Sequence, residues 1–90
     1  MGTDAIIQEV RNIVTEELGT DFTVKLIGSR RRASARAGAD YDFLILGPTV
    51  ISVLTLAKIR DKLDDLPTLA KIDVVDALRA SKTFLDVALT

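Results

Sequence analysis

Apolar residues recur at helical spacing in two long segments of the chain. The first runs from Thr3 to Leu18 and carries Ile6, Ile7, Val10, Ile13, Val14 and Leu18. The second runs from Val50 to Leu66, stops before Pro67, and carries Ile51, Leu54, Ile59, Leu63 and Leu66. Side chains three or four positions apart share one face of a helix, so both segments predict amphipathic helices. Thr3 or Asp4 is a suitable N-cap for the first helix, and Gly19 is a suitable end.

Three shorter segments have the β-branched and aromatic composition of strands: "FTVKLIG" at 22–28, "YDFLILG" at 41–47 and "AKIDVVDA" at 70–77. Ser81 begins a short last helix with Phe84, Leu85 and Ala88 on one face, and the polar segment after Ser29 is compatible with one or two helical turns. The order αβ(α)βαβα predicts an α/β (α+β) fold, a small β-sheet with helices packed against it. Because the link between the first two strands is too short for a full crossover, we expect a mixed sheet.

Composition limits both the architecture and the chemistry. The 90 residues are enough for one domain, taken as 1–90, and the hydrophobic fraction of 48% favours a folded core. The net charge of −1 gives no general attraction to nucleic acid or acidic membranes. Cysteine and histidine are both absent, so any chemistry must use carboxylates, hydroxyls and cations. With no apolar run near 18 residues and no basic leader, we expect a soluble, cytoplasmic protein.

Three aspartates are candidate metal ligands. Asp40 and Asp42 point the same way at the start of the second strand, because side chains alternate along a strand. Asp73 lies within an otherwise apolar strand, and an adjacent strand would bring it beside the pair. Hard carboxylate oxygens suit Mg²⁺. The alternative is a set of surface charges with Asp73 paired to Lys71 or Lys25, and an isolated Asp-x-Asp favours that alternative. The remaining candidates are expected to be solvated surface charges: Asp61, Asp64, Asp65 and Asp76.

The segment between the first two strands carries a second signal. Gly28-Ser29 stands between a strand and a predicted helix, where backbone N–H groups can bind phosphate oxygens. An ordinary turn with a serine N-cap explains Gly28-Ser29 equally well. The run "RRRAS" ending at Ser34 also fits a basophilic kinase site, a nucleic-acid patch or a solvated loop. The kinase site and the nucleic-acid patch are both weak interpretations, because three adjacent arginines are common and the rest of the chain is not basic. No aromatic residue interleaves with the arginines to stack on bases.

Taken together, these residues form a longer pattern: Gly28-Ser29, ten residues, Asp40-Tyr41-Asp42, and Asp73 in the following strand. The pattern resembles the minimal nucleotidyltransferase domains of the nucleotidyltransferase (DNA polymerase beta-like) superfamily, and the resemblance covers nearly the whole chain. Arginines stand where that loop carries its basic residues, at Arg30, Arg32 and Arg36. Two alanines depart from the usual loop: Ala33 replaces a glycine, and Ala39 replaces a frequent serine.

The resemblance implies a role for each residue. Asp40 and Asp42 would bridge two Mg²⁺ ions, and Asp73 would complete the metal site nearest the acceptor hydroxyl and help its deprotonation. Gly28 and Ser29 would hold the β- and γ-phosphates, with added positive charge from Arg30, Arg32 and Arg36. The implied reaction is transfer of a nucleoside monophosphate, AMP from ATP, to an acceptor hydroxyl.

The resemblance also implies a partner. Minimal domains of this type are often encoded beside a helical HEPN-type protein, as the antitoxin of a toxin–antitoxin pair, and they would neutralise that partner by AMP transfer (AMPylation). The alternative is a binding module that neutralises its partner by complex formation alone, within a hetero- or homo-oligomer. The apolar C-terminal stretch "FLDVALT" would then belong to that interface, or it would simply close the core as a last helix.

Overall fold

The computed structural model describes residues 1–27 and 40–89 of the chain. The predicted helical turns between the first two strands lie outside these residues. Three helices and three strands follow one another in the order αββαβα, close to the positions that the sequence predicts. They are α1 (Thr3–Leu18), β1 (Thr23–Ile27), β2 (Asp40–Leu46), α2 (Val53–Asp64), β3 (Lys71–Asp76) and α3 (Lys82–Ala88). The α+β fold class is therefore confirmed.

The three strands form one mixed sheet in the order β1-β2-β3. β1 and β2 pair antiparallel, and Ile27 lies opposite Asp42. β2 and β3 pair parallel, and Asp42 lies opposite Asp73. The parallel pair requires a crossover, and α2 supplies it by returning the chain across the sheet. The mixed sheet predicted from the sequence is confirmed, and its central strand is β2.

The two faces of the sheet are covered unequally. On one face α1 and α2 pack against alternate residues of β2 and β3 and form the main core. On the other face a smaller cluster joins Ile27 and Leu44 to Ala77 and Ala88, at the end of α3. Because strand residues alternate between faces, Asp40 and Asp42 lie on the same face as Leu44, beyond the part that α3 covers. Among residues 1–27 and 40–89, the largest fully buried side chains are Phe43, Ile6, Leu44, Ile45, Ile51, Ile59, Val10, Val14 and Val74.

The ends of α1 differ in part from expectation. Gly2 is the N-cap, and no side chain caps the helix, so the assignment of Thr3 or Asp4 as the cap was wrong. The Thr3 hydroxyl is instead 2.9 Å from the Tyr41 hydroxyl, a hydrogen bond that ties the start of α1 to β2. Gly19 ends the helix as predicted, with a φ of 88°, a conformation that favours glycine.

Serine caps begin the other two helices. The Ser52 hydroxyl accepts a hydrogen bond of 3.1 Å from the Thr55 N–H at the start of α2. The Ser81 hydroxyl accepts one of 3.0 Å from the Phe84 N–H at the start of α3, which confirms the predicted start of the last helix. Each bond satisfies one of the N–H groups left unpaired at a helix start. No helix in the described part of the chain combines the length and the hydrophobicity that crossing a membrane requires.

A cluster of opposite charges links the surfaces of α1 and α2. The Lys62 ammonium donates to Glu16 and, at 2.7 Å, to Glu17. The hydrogen bond from Lys62 lowers the pKa of Glu17 below its ordinary value. The bonds to Glu16 and Glu17 in turn raise the pKa of Lys62. The ammonium and the Glu16 carboxylate are exposed enough for water and salt to screen the attraction, so the cluster orients the helices more than it stabilises them.

Replacing Gly47 with alanine should destabilise the fold by about 1–3 kcal/mol, the usual effect of overfilling a packed site. A Cβ at Gly47 would come within 2.8 Å of Cγ of Phe22 and closer still to two other ring atoms. The ring would have to leave its position against the main core. Urea unfolding measures the free energy.

Two controls separate this clash from the general effect of a glycine substitution. Gly2→Ala introduces the same methyl group with nothing within 4 Å, so it should lose only the smaller free energy of placing alanine at the N-cap of α1. Phe22→Leu should recover part of the loss in the Gly47→Ala background, because it shortens the opposing side chain. Equal stabilities for Gly2→Ala and Gly47→Ala would contradict the prediction.

Candidate functional site

The sheet brings three carboxylates to one end of β2 and β3. Asp42 lies directly opposite Asp73 in the parallel register, and Asp40 lies one pleat away on the same strand and face. Neighbouring strands are about 4.8 Å apart, so the Asp42 and Asp73 backbones are close neighbours. Asp40 and Asp42 are exposed, and Asp73 is half-buried. The three aspartates singled out from the sequence therefore share one surface.

The Asp73 carboxylate has a partner that the sequence did not indicate. Oδ1 of Asp73 accepts a hydrogen bond of 2.8 Å from the Val74 N–H and one of 3.3 Å from Nε of Arg60. Nη2 of Arg60 also donates to the Val74 carbonyl at 3.0 Å. The suggested surface partners, Lys71 and Lys25, are thus replaced by an arginine of α2. No motif surrounds Arg60 in the sequence, and only its place beside buried Ile59 could have indicated a contact with the sheet.

The carboxylates of Asp40, Asp42 and Asp73 are oxygen ligands of the kind that magnesium binds. Within residues 1–27 and 40–89, no group of three or more acidic side chains converges closely enough to hold a metal ion. Magnesium needs only one or two protein carboxylates, because it keeps several waters and takes substrate phosphates as ligands. The exposed side chains of Asp40 and Asp42 on β2, with Asp73 opposite Asp42, fit that requirement. Their roles as metal ligands stay predictions.

Cationic residues flank the carboxylates on the same face. Lys71 lies opposite Asp40 in the parallel register. Lys25 lies two residues before Ile27 on β1, so it shares the face of Ile27 and Asp42. Both lysines are exposed. This end of the sheet therefore offers both hard anionic oxygens and positive charge.

The predicted phosphate-binding residues lie outside the described part of the chain. They occupy the segment that joins β1 to β2, and include Gly28, Ser29, Arg30, Arg32 and Arg36, together with the departures Ala33 and Ala39. β1 ends at Ile27, opposite Asp42, and β2 begins at Asp40. The chain thus leaves β1 and enters β2 at the carboxylate end of the sheet.

Asp76 is not a solvated surface charge, so that expectation was wrong. It is 4% exposed and accepts two backbone hydrogen bonds, 2.8 Å from the Ile51 N–H and 3.0 Å from the Leu78 N–H. Nε of Arg79 is 3.6 Å from its carboxylate. Asp76 pairs with Ile45 in the register, at the end of β3 remote from Asp40, so its role is structural. The other three aspartates are exposed as predicted: Asp61, Asp64 and Asp65.

A groove of about 230 Å³ lies between α1 and β1, away from the carboxylates. None of its lining residues was predicted to belong to a site. Apart from Arg11, these residues have apolar or hydroxyl side chains. The lining residues are Arg11, Val14, Thr15, Phe22, Thr23 and Val24. The candidate site is therefore the open carboxylate face and not this groove.

Comparison with known families matches residues 7–86 to the nucleotidyltransferase domain. The matched range includes all three strands, the Gly28-Ser29 pair, Asp40-Tyr41-Asp42 and Asp73. A search of curated proteins found no match. The mixed sheet, the carboxylates on its open face and the extent of the match agree with one another, and the chain belongs to the nucleotidyltransferase domain family.

Proposed function

We propose that this protein is a magnesium-dependent nucleotidyltransferase that transfers AMP from ATP to an acceptor hydroxyl. Membership of the family supports a transferase that uses a nucleoside triphosphate. The observation that carries the proposal is the parallel register of β2 and β3, which sets Asp42 opposite Asp73 with Asp40 beside them. Magnesium takes hard carboxylate oxygens as ligands, so aspartates this close together are suited to bind it with the phosphates of the substrate.

The carboxylates would hold the metal and help to activate the acceptor. Asp40 and Asp42 would bind Mg²⁺, and Asp73 would complete the site on the acceptor side. When bound, magnesium would neutralise the triphosphate and stabilise the entering and leaving oxygens. The acceptor oxygen forms a bond to the α-phosphorus, the bond to the bridging oxygen breaks, and pyrophosphate leaves. Asp73 would take up the hydroxyl proton, because no histidine is present to do so.

The phosphate side of the pocket would come from the segment between β1 and β2. Gly28 and Ser29 would donate hydrogen bonds to the β- and γ-phosphates. The arginine fork binds phosphate with two parallel N–H groups, so Arg30, Arg32 and Arg36 would neutralise the departing pyrophosphate. These roles are the ones that the resemblance to minimal nucleotidyltransferase domains implies.

The acceptor that we propose is a hydroxyl on a helical HEPN-type partner protein, so the chain would act as an antitoxin. A second candidate function is neutralisation by complex formation alone, without transfer. The C-terminal helix favours a protein interface in both cases: Ala88 closes the smaller core, whereas Phe84 and Val87 are 40% and 70% exposed. Phe84 and Val87 are three positions apart and so lie side by side on the helix, and a contiguous exposed apolar patch can mark an interface.

Incubation with α-labelled ATP, Mg²⁺ and the co-encoded partner tests the proposal. We expect label to move to the partner, and the transfer to stop when EDTA removes the metal. Parallel reactions with the other three nucleoside triphosphates measure the preference for ATP. A partner that acquires no label under any of these conditions would contradict the proposed transfer.

Variants that still form the complex distinguish neutralisation by binding alone from neutralisation by AMP transfer. If neutralisation needs only binding, Asp40→Asn and Asp73→Asn should leave both the complex and the neutralisation intact. If transfer is required, the same variants should bind the partner and fail to neutralise it. A nucleic-acid function would appear instead as binding that weakens steeply with salt and disappears when Arg30 and Arg32 are neutralised.

A further inference from the structure

The Arg60 guanidinium holds two groups of β3 at the same time. Its Nε donates to Oδ1 of Asp73 at 3.3 Å, and its Nη2 donates to the Val74 carbonyl at 3.0 Å. The same Asp73 oxygen accepts the Val74 N–H at 2.8 Å. One arginine of α2 is therefore bonded both to the carboxylate proposed to activate the acceptor and to the backbone directly after it.

These bonds lie along the free edge of β3. In the described part of the sheet, β3 pairs with β2 on one side only, so the outward N–H and C=O groups of Val74 need other partners. The Asp73 carboxylate takes the N–H, and Arg60 takes the C=O. Oδ1 of Asp73 thus meets two donors at the edge, and these donors set the rotation of the carboxylate about its side-chain bonds.

The bond from Nη2 of Arg60 to the Val74 carbonyl satisfies the sheet edge, but that structural role does not require the second bond, from Nε to Asp73. The side chains of Arg60 and Asp73 are 49% and 50% exposed, and ion pairs with that exposure contribute little to stability. Their bonds do, however, fix the direction of a carboxylate that lies opposite Asp42. Carboxylates that work with a metal usually depend on such outer hydrogen bonds for their orientation.

We propose that Arg60 is a positioning residue: by holding Oδ1 of Asp73 at the free edge of β3, it turns Oδ2, the other oxygen of that carboxylate, toward the metal and acceptor side of the site. The proposal rests on the proposed nucleotidyl transfer. Arg60 touches neither substrate nor metal in this assignment, and its effect passes entirely through the Asp73 carboxylate. Lysine at this position would keep the charge, but its single nitrogen cannot reproduce the two separate donor atoms Nε and Nη2, so it should restore only part of the effect.

The test measures Mn²⁺ binding by electron paramagnetic resonance in the presence of an ATP analogue with a non-hydrolysable α,β bond. Arg60→Met should weaken Mn²⁺ binding and lower kcat for transfer by roughly tenfold, the lower range for losing an outer hydrogen bond. Arg60→Lys should fall between this variant and wild type. Lys58→Met is the matched control, because it removes another exposed cation from α2 and should change neither quantity.

The Asp73→Asn background separates positioning from structure. If Arg60 acts through Asp73, Arg60→Met should produce no further loss there. An equal loss in both backgrounds, or no loss in wild type, would overturn the assignment. Failure of the proposed function looks different, because wild type itself would then neither bind Mn²⁺ with the analogue nor transfer label.

Discussion

Asp42→Asn should lower kcat/KM for nucleotidyl transfer by roughly two to three powers of ten. Asp42 is on the central strand, between Ile27 and Asp73, so it lies nearest the centre of the proposed metal site. Asparagine keeps the shape of the side chain but removes the negative charge that binds the metal. Losing about 3–4 kcal/mol of transition-state stabilisation gives a change of that size. Initial rates of AMP transfer to the partner, measured over a range of ATP and Mg²⁺ concentrations, give the value.

Asp21→Asn is the matched control for this variant. Asp21 is exposed, precedes β1 at the end of the sheet remote from Asp42, and loses the same charge. Its activity should stay close to that of wild type. Since Asp42 is exposed, Asp42→Asn should still fold, and circular dichroism and thermal melting verify that. Transfer by folded Asp42→Asn within a few-fold of wild type would remove Asp42 from the metal site.

Local patterns were enough to predict the helices, the strands and the faces of the strands. The helical spacing that ends at Leu18 and the Gly19 after it predict the observed end of α1. The alternation in β2 predicts that Asp40 and Asp42 share a face. These features depend on residues that are close in sequence, so they can be recognised without knowledge of the fold. The mixed sheet could be predicted because the link between the first two strands is too short for the crossover that a parallel pair requires.

Features that depend on contacts between distant residues could not be predicted in the same way. Arg60 meets Asp73 only because α2 returns across the sheet and lies beside β3. Asp76 can be buried because its carboxylate accepts a hydrogen bond from the Ile51 N–H, which belongs to a loop 25 residues earlier in the chain. In the sequence both residues resemble ordinary surface charges. Hydrophobic periodicity indicates which face of an element is buried, but it does not indicate which polar groups form hydrogen bonds with one another.

Asp76→Ala should lower the free energy of unfolding by about 3 kcal/mol, a large part of the stability of a domain of this size. The change removes a buried acceptor of two backbone hydrogen bonds, those of Ile51 and Leu78. It leaves the backbone N–H of Ile51, a residue that is only 1% exposed, without a hydrogen-bond partner. For a chain of 90 residues, a loss of that size lowers Tm by about 12–24 °C. Urea unfolding and calorimetry measure both quantities.

The hydrogen bonds, and not the general loss of a charge, are the reason for this expectation. Asp76→Asn should cost less, because it keeps one carbonyl oxygen as an acceptor for an N–H group. Asp65→Ala removes an exposed aspartate and should change the stability far less. Asp76 is at the opposite end of β3 from the site, so the folded fraction of Asp76→Ala should still bind Mn²⁺ at low temperature. Stability equal to that of Asp65→Ala would mean that the Ile51 N–H finds another partner. Loss of Mn²⁺ binding by folded protein would mean that the two ends of β3 are coupled.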